Sequence, residues 1–222
     1  MVTKVATSKR RRSSRSARTI KTGKRPRSSR QAHDPTQAVV VQAPAAASLV
    51  DPVDAINLFI RKRNYRRYLE IGSREDGWFG RVEAAIKVRK PYDVTSAQFF
   101  ERMKAEGEEF DVVLVDGSKQ AAFAFEEIAG ALDCLCPRGA VFVRDCLPED
   151  RDSVSVWRAF LMCRSRPDLD AIVGDFDRGV GLIRKIPNPA PVTIGKRMGD
   201  LTFEDFEANR EAWMRHQPRF VF

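Results

Sequence analysis

Three acidic side chains stand at the ends of short apolar segments, where together they could form one binding site. Glu70, Asp116 and Asp145 each close a segment that is predicted to be a β-strand. A carboxylate can accept hydrogen bonds from the hydroxyl groups of a ligand. Ligands of parallel sheets bind beyond the carboxyl ends of the strands, so we expect the three acids to line a single cleft. The alternative is that they only cap the loops or helices that follow.

The histidine and cysteine content disfavours several other chemistries. The two histidines, His33 and His216, lie in the predicted linker and near the C-terminus. A histidine-dependent hydrolase needs a histidine inside the folded core, and histidine-rich metal sites are equally disfavoured. The four cysteines lack zinc-type spacing and favour a reduced intracellular location, cytoplasmic or, in a eukaryote, nuclear. No apolar run approaches the roughly 20 residues that a membrane helix requires.

The net charge of +9 originates in the N-terminal segment. Residues 1–30 carry 12 Lys and Arg and no acid, whereas the remainder holds 27 basic and 30 acidic residues. We interpret residues 1–30 as a disordered basic arm, 31–50 as a linker, and 51–222 as the folded domain with a C-terminal helical extension. The arm could bind nucleic acid or another polyanion, or act in nuclear import. A solvated tail or a targeting peptide would explain the same charges.

Predicted strands and helices alternate along residues 51–222, which favours a parallel sheet with helices on both faces and a closing antiparallel hairpin. The predicted strands are 68–71, a short segment closed by Val94, 111–116, 140–143, and a hairpin of 171–173 with 180–183. The predicted helices are 51–63, one from near Gly77, one capped by Ser96, 120–136 with Phe125, Ile128, Leu132 and Leu135 on one face, one around Trp157, and one opened by Thr202 and Asp205.

Several motifs, in order, resemble those of the class I S-adenosylmethionine-dependent methyltransferases, closest to a bacterial group of small enzymes. They are Leu-Glu-Ile-Gly at 69–72, Thr-Ser-Ala-Gln-Phe-Phe at 95–100, Val-Asp-Gly-Ser-Lys at 115–119, Arg-Asp-Cys-Leu-Pro at 144–148, and the segment 174–181. The resemblance spans about Tyr68 to Lys185. It implies the Rossmann-like class I methyltransferase fold and S-adenosylmethionine as cofactor.

The resemblance also implies roles for individual residues. Glu70, Gly72 and Ser73 would hold the methionine part of the cofactor, with glycine allowing a close approach of the backbone. Asp116 would lie near the cofactor's amino group or the substrate. Asp145 would face the acceptor.

The sequence departs from the family's pattern at three places. The second strand of the family ends in an acid that binds the ribose hydroxyls, whereas this chain has Val-Arg-Lys-Pro at 88–91. Arg and Lys prefer phosphate over ribose hydroxyls. The family's histidines in the third and fourth motifs are replaced by Lys119 and Arg144.

The metal-dependent catechol O-methyltransferases also place a lysine three residues after a strand-end aspartate, with a second acid ending the next strand. Asp116, Lys119 and Asp145 match that spacing. The match implies that Lys119, with a lowered pKa, takes a hydroxyl proton while carboxylates hold a divalent ion. Cys146 replaces the family's asparagine and is a poor magnesium ligand, so we favour a site without metal. The alternative for Lys119 is a solvated lysine at a helix start.

Two functions follow as hypotheses. The first is a methyltransferase that acts on a small hydroxylated, sugar-like acceptor. The second is a catalytically degenerate protein of the same fold, anchored to nucleic acid or another polyanion by residues 1–30. A phosphate-bearing nucleotide held by Arg89 and Lys90 is less favoured, because the sequence has no dinucleotide or P-loop glycine fingerprint. No edge of the predicted fold is singled out as an oligomer interface.

Overall fold

The computed structural model describes residues 51–72, 76–151, 154–218 and 220, with only the backbone described at Asp76 and Gly77. The predicted arm, the predicted linker and Ser73 lie outside these ranges. Within them, no helix is long and apolar enough to cross a membrane.

The sheet has the mixed topology that the sequence predicts. Its strand order is β2-β1-β3-β4-β6-β5-β7. Strands β1 to β4 are parallel, β6 lies antiparallel between β4 and β5, and β7 adds in parallel to β5. The strands are Arg67–Ile71 (β1), Ile86–Arg89 (β2), Phe110–Val115 (β3), Leu135–Val143 (β4), Asp170–Gly174 (β5), Val180–Arg184 (β6) and His216–Gln217 (β7). A Rossmann-like sheet with a C-terminal antiparallel hairpin is therefore confirmed.

Helices cover both faces of this sheet. They are Pro52–Arg63 (α1), Asp76–Arg81 (α2), Ser96–Ala105 (α3), Ala121–Asp133 (α4), Val156–Arg164 (α5) and Phe203–Met214 (α6), with a short 3₁₀ turn at Met198–Asp200. Helices α3 to α6 pack in one core cluster, and α1 and α2 in the other. Strand β3 shows why both clusters form: Val113 and Val115 belong to the first, and Val112 and Leu114 to the second.

Two helix starts follow directly from local sequence. Asp51 precedes Pro52 and forms a reciprocal capping box with Asp54, so α1 begins where predicted. Thr202 and Asp205 form the same arrangement at the start of α6, as expected. At α3 the cap is Thr95, whose hydroxyl accepts a hydrogen bond from the Gln98 amide, and not the predicted Ser96.

Other predicted boundaries were wrong for reasons of sheet pairing. The second strand is β2, and Val94 lies in the turn before α3, because pairing with β1 ends just before Pro91, which has no amide hydrogen. Helix α4 stops at Asp133, since Leu135 pairs with Phe110 and opens β4. Phe125, predicted to face the core, is 40% exposed.

Candidate functional site

The carboxyl ends of β1, β3 and β4 meet at one edge of the sheet. Ile71 is in register with Val115, and Val115 with Val143, so the next residues of each strand emerge together. The amide of Asp116 donates to the Ile71 carbonyl at 2.9 Å, so the hydrogen bonding between β1 and β3 continues one residue past the end of β3. We call this edge the rim and define it as Glu70, Arg89, Asp116, Lys119, Arg144, Asp145, Asp177 and Arg178.

Glu70 lies inside the protein and is already paired. Its side chain is fully buried, accepts a hydrogen bond from the Tyr68 hydroxyl at 2.8 Å, and forms an ion pair with Arg89 at 2.9 Å. Arg89 stands directly opposite Glu70 in the β1–β2 register. Burial raises the pKa of Glu70 above its ordinary value, although the Tyr68 hydrogen bond and the Arg89 charge act in the opposite direction.

Lys119 joins the other two predicted acids. Its ammonium lies 2.9 Å from Asp116 Oδ1 and 2.5 Å from Asp145 Oδ2. Burial alone would lower the pKa of Lys119, but the hydrogen bonds and charges of Asp145 and Asp116 outweigh burial and raise it. The catechol-type match implied a lowered pKa for Lys119, whereas the two aspartates raise it. The surrounding carboxylates stabilise the ammonium form.

Asp145 is held in an unusual position. Its backbone φ of 58° is left-handed, a conformation that Asp tolerates better than most residues do, and the residue is 1% exposed. Besides Lys119, its partner is Arg178, whose guanidinium nitrogen lies 2.9 Å from Oδ1. Cys146, the next residue, is fully buried and donates weakly to the Val143 carbonyl, so its thiol is not available at the rim.

Arg144 connects the rim to the β5–β6 turn. Its guanidinium donates to Asp116 Oδ2 at 2.9 Å and to both carboxylate oxygens of Asp177, at 2.8 and 3.2 Å. It also lies over the Trp78 ring, 4.2 Å from the centroid. Where the family resemblance has a histidine, this chain thus has a buried cation that bridges two acids.

Sequence reasoning missed Asp177 and Arg178 as rim residues. The turn that carries them was predicted from Asp-Arg-Gly, and all three of its residues, including Gly179, have positive φ. This tight turn directs both side chains toward β4. The sequence predicts the turn but not these contacts, because they depend on where the hairpin docks in the sheet.

Gly72 and Gly117 let two rim loops cross in contact. Gly72 has a φ of +85°, and a Cβ placed on it would lie 2.1 Å from Gly117 Cα. A Cβ on Gly117 would meet the Glu127 carboxylate at 2.4 Å. Glu127 in turn accepts hydrogen bonds from the Ser118 amide and the Ser96 hydroxyl, at 3.1 and 3.0 Å. The sequence did not predict that Glu127 supports these loops, because nothing in a single sequence marks an acid on a helix as buried.

These residues fit only part of S-adenosylmethionine. Asp116 presents a carboxylate at the edge where the resemblance places the cofactor's amino group or the substrate, and Asp145 lies beside it, where the resemblance places the acceptor. Arg89 occupies the place of the ribose-binding acid, and its pairing with Glu70 leaves the ribose hydroxyls without that acceptor. The free space next to Gly72 is filled by Gly117. Ser73 lies outside the described residues, so its predicted role stays a prediction.

Other candidate sites lie away from the rim. Cavities of about 460 and 230 Å³ open at the opposite edge of the sheet, beside the starts of β3 and β4. Among the residues that the structure describes, no group of three or more His, Cys, Asp or Glu side chains is arranged to hold a metal ion. The rim itself is filled by its own ion pairs.

The strand order, with an antiparallel strand beside β4, is the mixed Rossmann-like arrangement that the sequence predicted. No family model matches the chain, and no curated protein matches it.

Solved structures of methyltransferases are similar to this chain at low identity. An SAH-bound methyltransferase from Podospora anserina, PaMTH1, is 18% identical over 65% of this chain and 82% of that chain, with a TM-score of 0.43. The O-methyltransferase TomG from Streptomyces achromogenes, in complex with SAM, is 17% identical over 63% and 82%, with a TM-score of 0.45. Cofactor-bound Rv0187 from MTB is 18% identical over 66% and 85%, with a TM-score of 0.46.

Proposed function

We propose that the chain is an S-adenosylmethionine-dependent methyltransferase that acts on a small hydroxylated, sugar-like acceptor. The observation that carries this proposal is the convergence of Asp116 and Asp145 on one ammonium, at the ligand edge of a sheet with this fold. Two adjacent strand ends that supply carboxylates to one point support a site for a polar ligand over a set of separate loop caps.

The residues would act mainly by positioning the acceptor. Oδ1 of Asp145 is buried and accepts no hydrogen bond from the described residues, so it can accept one from an acceptor hydroxyl. Lys119 stays protonated and would not act as the base, so the hydroxyl proton would pass to the Asp145 carboxylate that accepts its hydrogen bond. Holding the hydroxyl in line with a methyl donor would then provide most of the rate enhancement.

Calorimetric titration with S-adenosylhomocysteine and S-adenosylmethionine tests the proposal. We expect saturable binding by the full chain, and binding at least tenfold weaker in Asp116→Asn, because the lost carboxylate would face the ligand. Glu101→Gln, in α3 beside the 460 Å³ cavity and away from the rim, serves as the control and should bind both cofactor forms as the unaltered chain does. Absence of heat and of any thermal shift at millimolar ligand would rule the proposal out.

One observation favours a second function, that of a degenerate, non-catalytic binding protein. Arg89 forms an ion pair with Glu70, an acid that the resemblance assigns to cofactor binding. Arg89 also stands where the family has the acid that binds the ribose hydroxyls. In that case the full chain should bind nucleic acid through residues 1–30 and should ignore both cofactor forms in the same titration. Tight cofactor binding would exclude this alternative.

A further inference from the structure

Asp145 is a deeply buried rim carboxylate that has only surface side chains as cationic partners. Asp145 is 1% exposed, whereas the side chains of Lys119 and Arg178 that neutralise it are 44% and 54% exposed. A buried carboxylate requires a positive partner. A long, half-exposed side chain can move away from the carboxylate at a low cost in free energy, because its own charge is then solvated by water.

A second observation shows that this carboxylate is incompletely satisfied. Oδ1 of Asp145 is buried and accepts no hydrogen bond among the described residues. Arg178 lies 2.9 Å from it, close enough for charge attraction but not aligned as a hydrogen-bond donor. A buried acceptor in this state favours any ligand that brings a well-aligned donor.

We propose that the ammonium of Lys119 occupies the binding position of a ligand's amino group, between Asp116 and Asp145. The two aspartates now accept hydrogen bonds from the Lys119 ammonium at 2.9 and 2.5 Å. The primary ammonium group of a ligand has the same charge and the same three donors. The ligand displaces Lys119 into solvent and takes over both contacts. Lys119 is thus an internal competitor for its own site.

The surroundings favour an amine over a divalent metal ion. Arg144 donates to the other oxygen of Asp116, and Arg178 lies beside Asp145, so each carboxylate keeps one cation when Lys119 leaves. Arg144 is shared with Asp177, so three carboxylates and two guanidinium groups remain when Lys119 leaves. One further positive charge restores neutrality, whereas a divalent ion would exceed it. The thiol of Cys146 is buried and cannot complete a metal site there.

This inference rests on the proposed function in one respect: it makes the hydroxylated acceptor an amino sugar. The amino group would bind between the two aspartates, and an adjacent hydroxyl would donate to Oδ1 of Asp145. The site would therefore select amino sugars over neutral sugars by the loss of a charge-assisted contact.

Calorimetric titration with glucosamine and with glucose, both without cofactor, tests the inference. The full chain should bind glucosamine at least tenfold more tightly than glucose. Lys119→Met should tighten glucosamine binding about fivefold, because the competing ion pair of a half-exposed lysine is removed, and should leave glucose unchanged. Lys104→Met, a lysine beside the 460 Å³ cavity, is the matched control and should change neither affinity.

Asp145→Asn should abolish the preference for the amine, with its folding checked by circular dichroism. Equal binding of the two sugars, no effect of Lys119→Met on glucosamine affinity, or no binding of glucosamine by either protein would each overturn the inference. Methyl transfer is measured separately with labelled S-adenosylmethionine. Its absence alongside amine-selective binding would refute the proposed function and leave the inference standing.

Discussion

Each rim carboxylate is paired with a cation from its own chain. Glu70 pairs with Arg89, Asp145 with Lys119 and Arg178, and Asp116 with Lys119 as well as Arg144. The acids could be predicted from sequence because each ends an apolar strand. Their neutralisation could not, because it depends on strand register for Arg89 and on a hairpin far along the chain for Arg178.

The Glu70–Arg89 pair gives a prediction at the level of single residues. Arg89→Met leaves Glu70 buried without its cation, so we expect the free energy of unfolding at pH 8 to fall by about 3 kcal/mol. The raised pKa of Glu70 sets the sign of the pH effect. Stability from an acid with a raised folded-state pKa is present below its ordinary value of 4.5 and is lost as pH rises through the folded-state value. The loss in Arg89→Met should therefore be smaller at pH 5 than at pH 8.

Urea unfolding at the two pH values measures this difference. The double variant Glu70→Gln with Arg89→Met removes both charges and should recover most of the lost stability. A double variant less stable than Arg89→Met alone would show that the pair is not the source of the effect.

At the level of elements, the sequence predicted what is encoded locally. Asp51-Pro52 and Thr202 with Asp205 are complete helix-start signals, and both helices begin there. The errors occurred where long-range pairing decides the boundary. Leu135 continues the apolar pattern of α4 but pairs with Phe110 in the sheet. The two-residue strand β7 has no pattern of its own and exists only because β5 offers it an edge.

The crossing of the loops after β1 and β3 gives a prediction at this scale. Gly72→Ala places a Cβ 2.1 Å from Gly117 Cα at a φ of +85°, so we expect a loss of about 3 kcal/mol in the free energy of unfolding. Gly80→Ala is the matched control, because a Cβ on Gly80, within α2, meets nothing within 4 Å. It should raise stability by about 0.5 kcal/mol through helix propensity. Thermal unfolding of the two variants measures this contrast, and equal effects would contradict it.

At the scale of the whole molecule, charge is divided between two parts of the sequence. Residues 31–222 carry a slight excess of acidic residues, while residues 1–30 hold 12 basic residues and no acidic ones. We predict that deleting residues 1–30 abolishes salt-sensitive binding to an oligonucleotide and leaves the melting temperature of the domain unchanged. Fluorescence anisotropy between about 50 and 200 mM salt measures the first effect.

A control for the arm keeps its length and changes only its charge. Replacing the four residues 9–12, Lys-Arg-Arg-Arg, by serine should give an intermediate affinity and a smaller dependence on salt. Oligonucleotide binding that persists unchanged without residues 1–30 would show that the arm does not carry it.

The position of β6 between β4 and β5 has a consequence for how the protein is made. Residues 180–184 pair with both β4 and β5 and leave the ribosome after both, so β5 joins the rest of the sheet only when β6 docks between it and β4. Until that docking, Asp145 lacks Arg178, and Arg144 lacks Asp177. Asp177 and Arg178 bring one negative and one positive charge, so the docking leaves the net charge of the rim unchanged and completes its ion pairs.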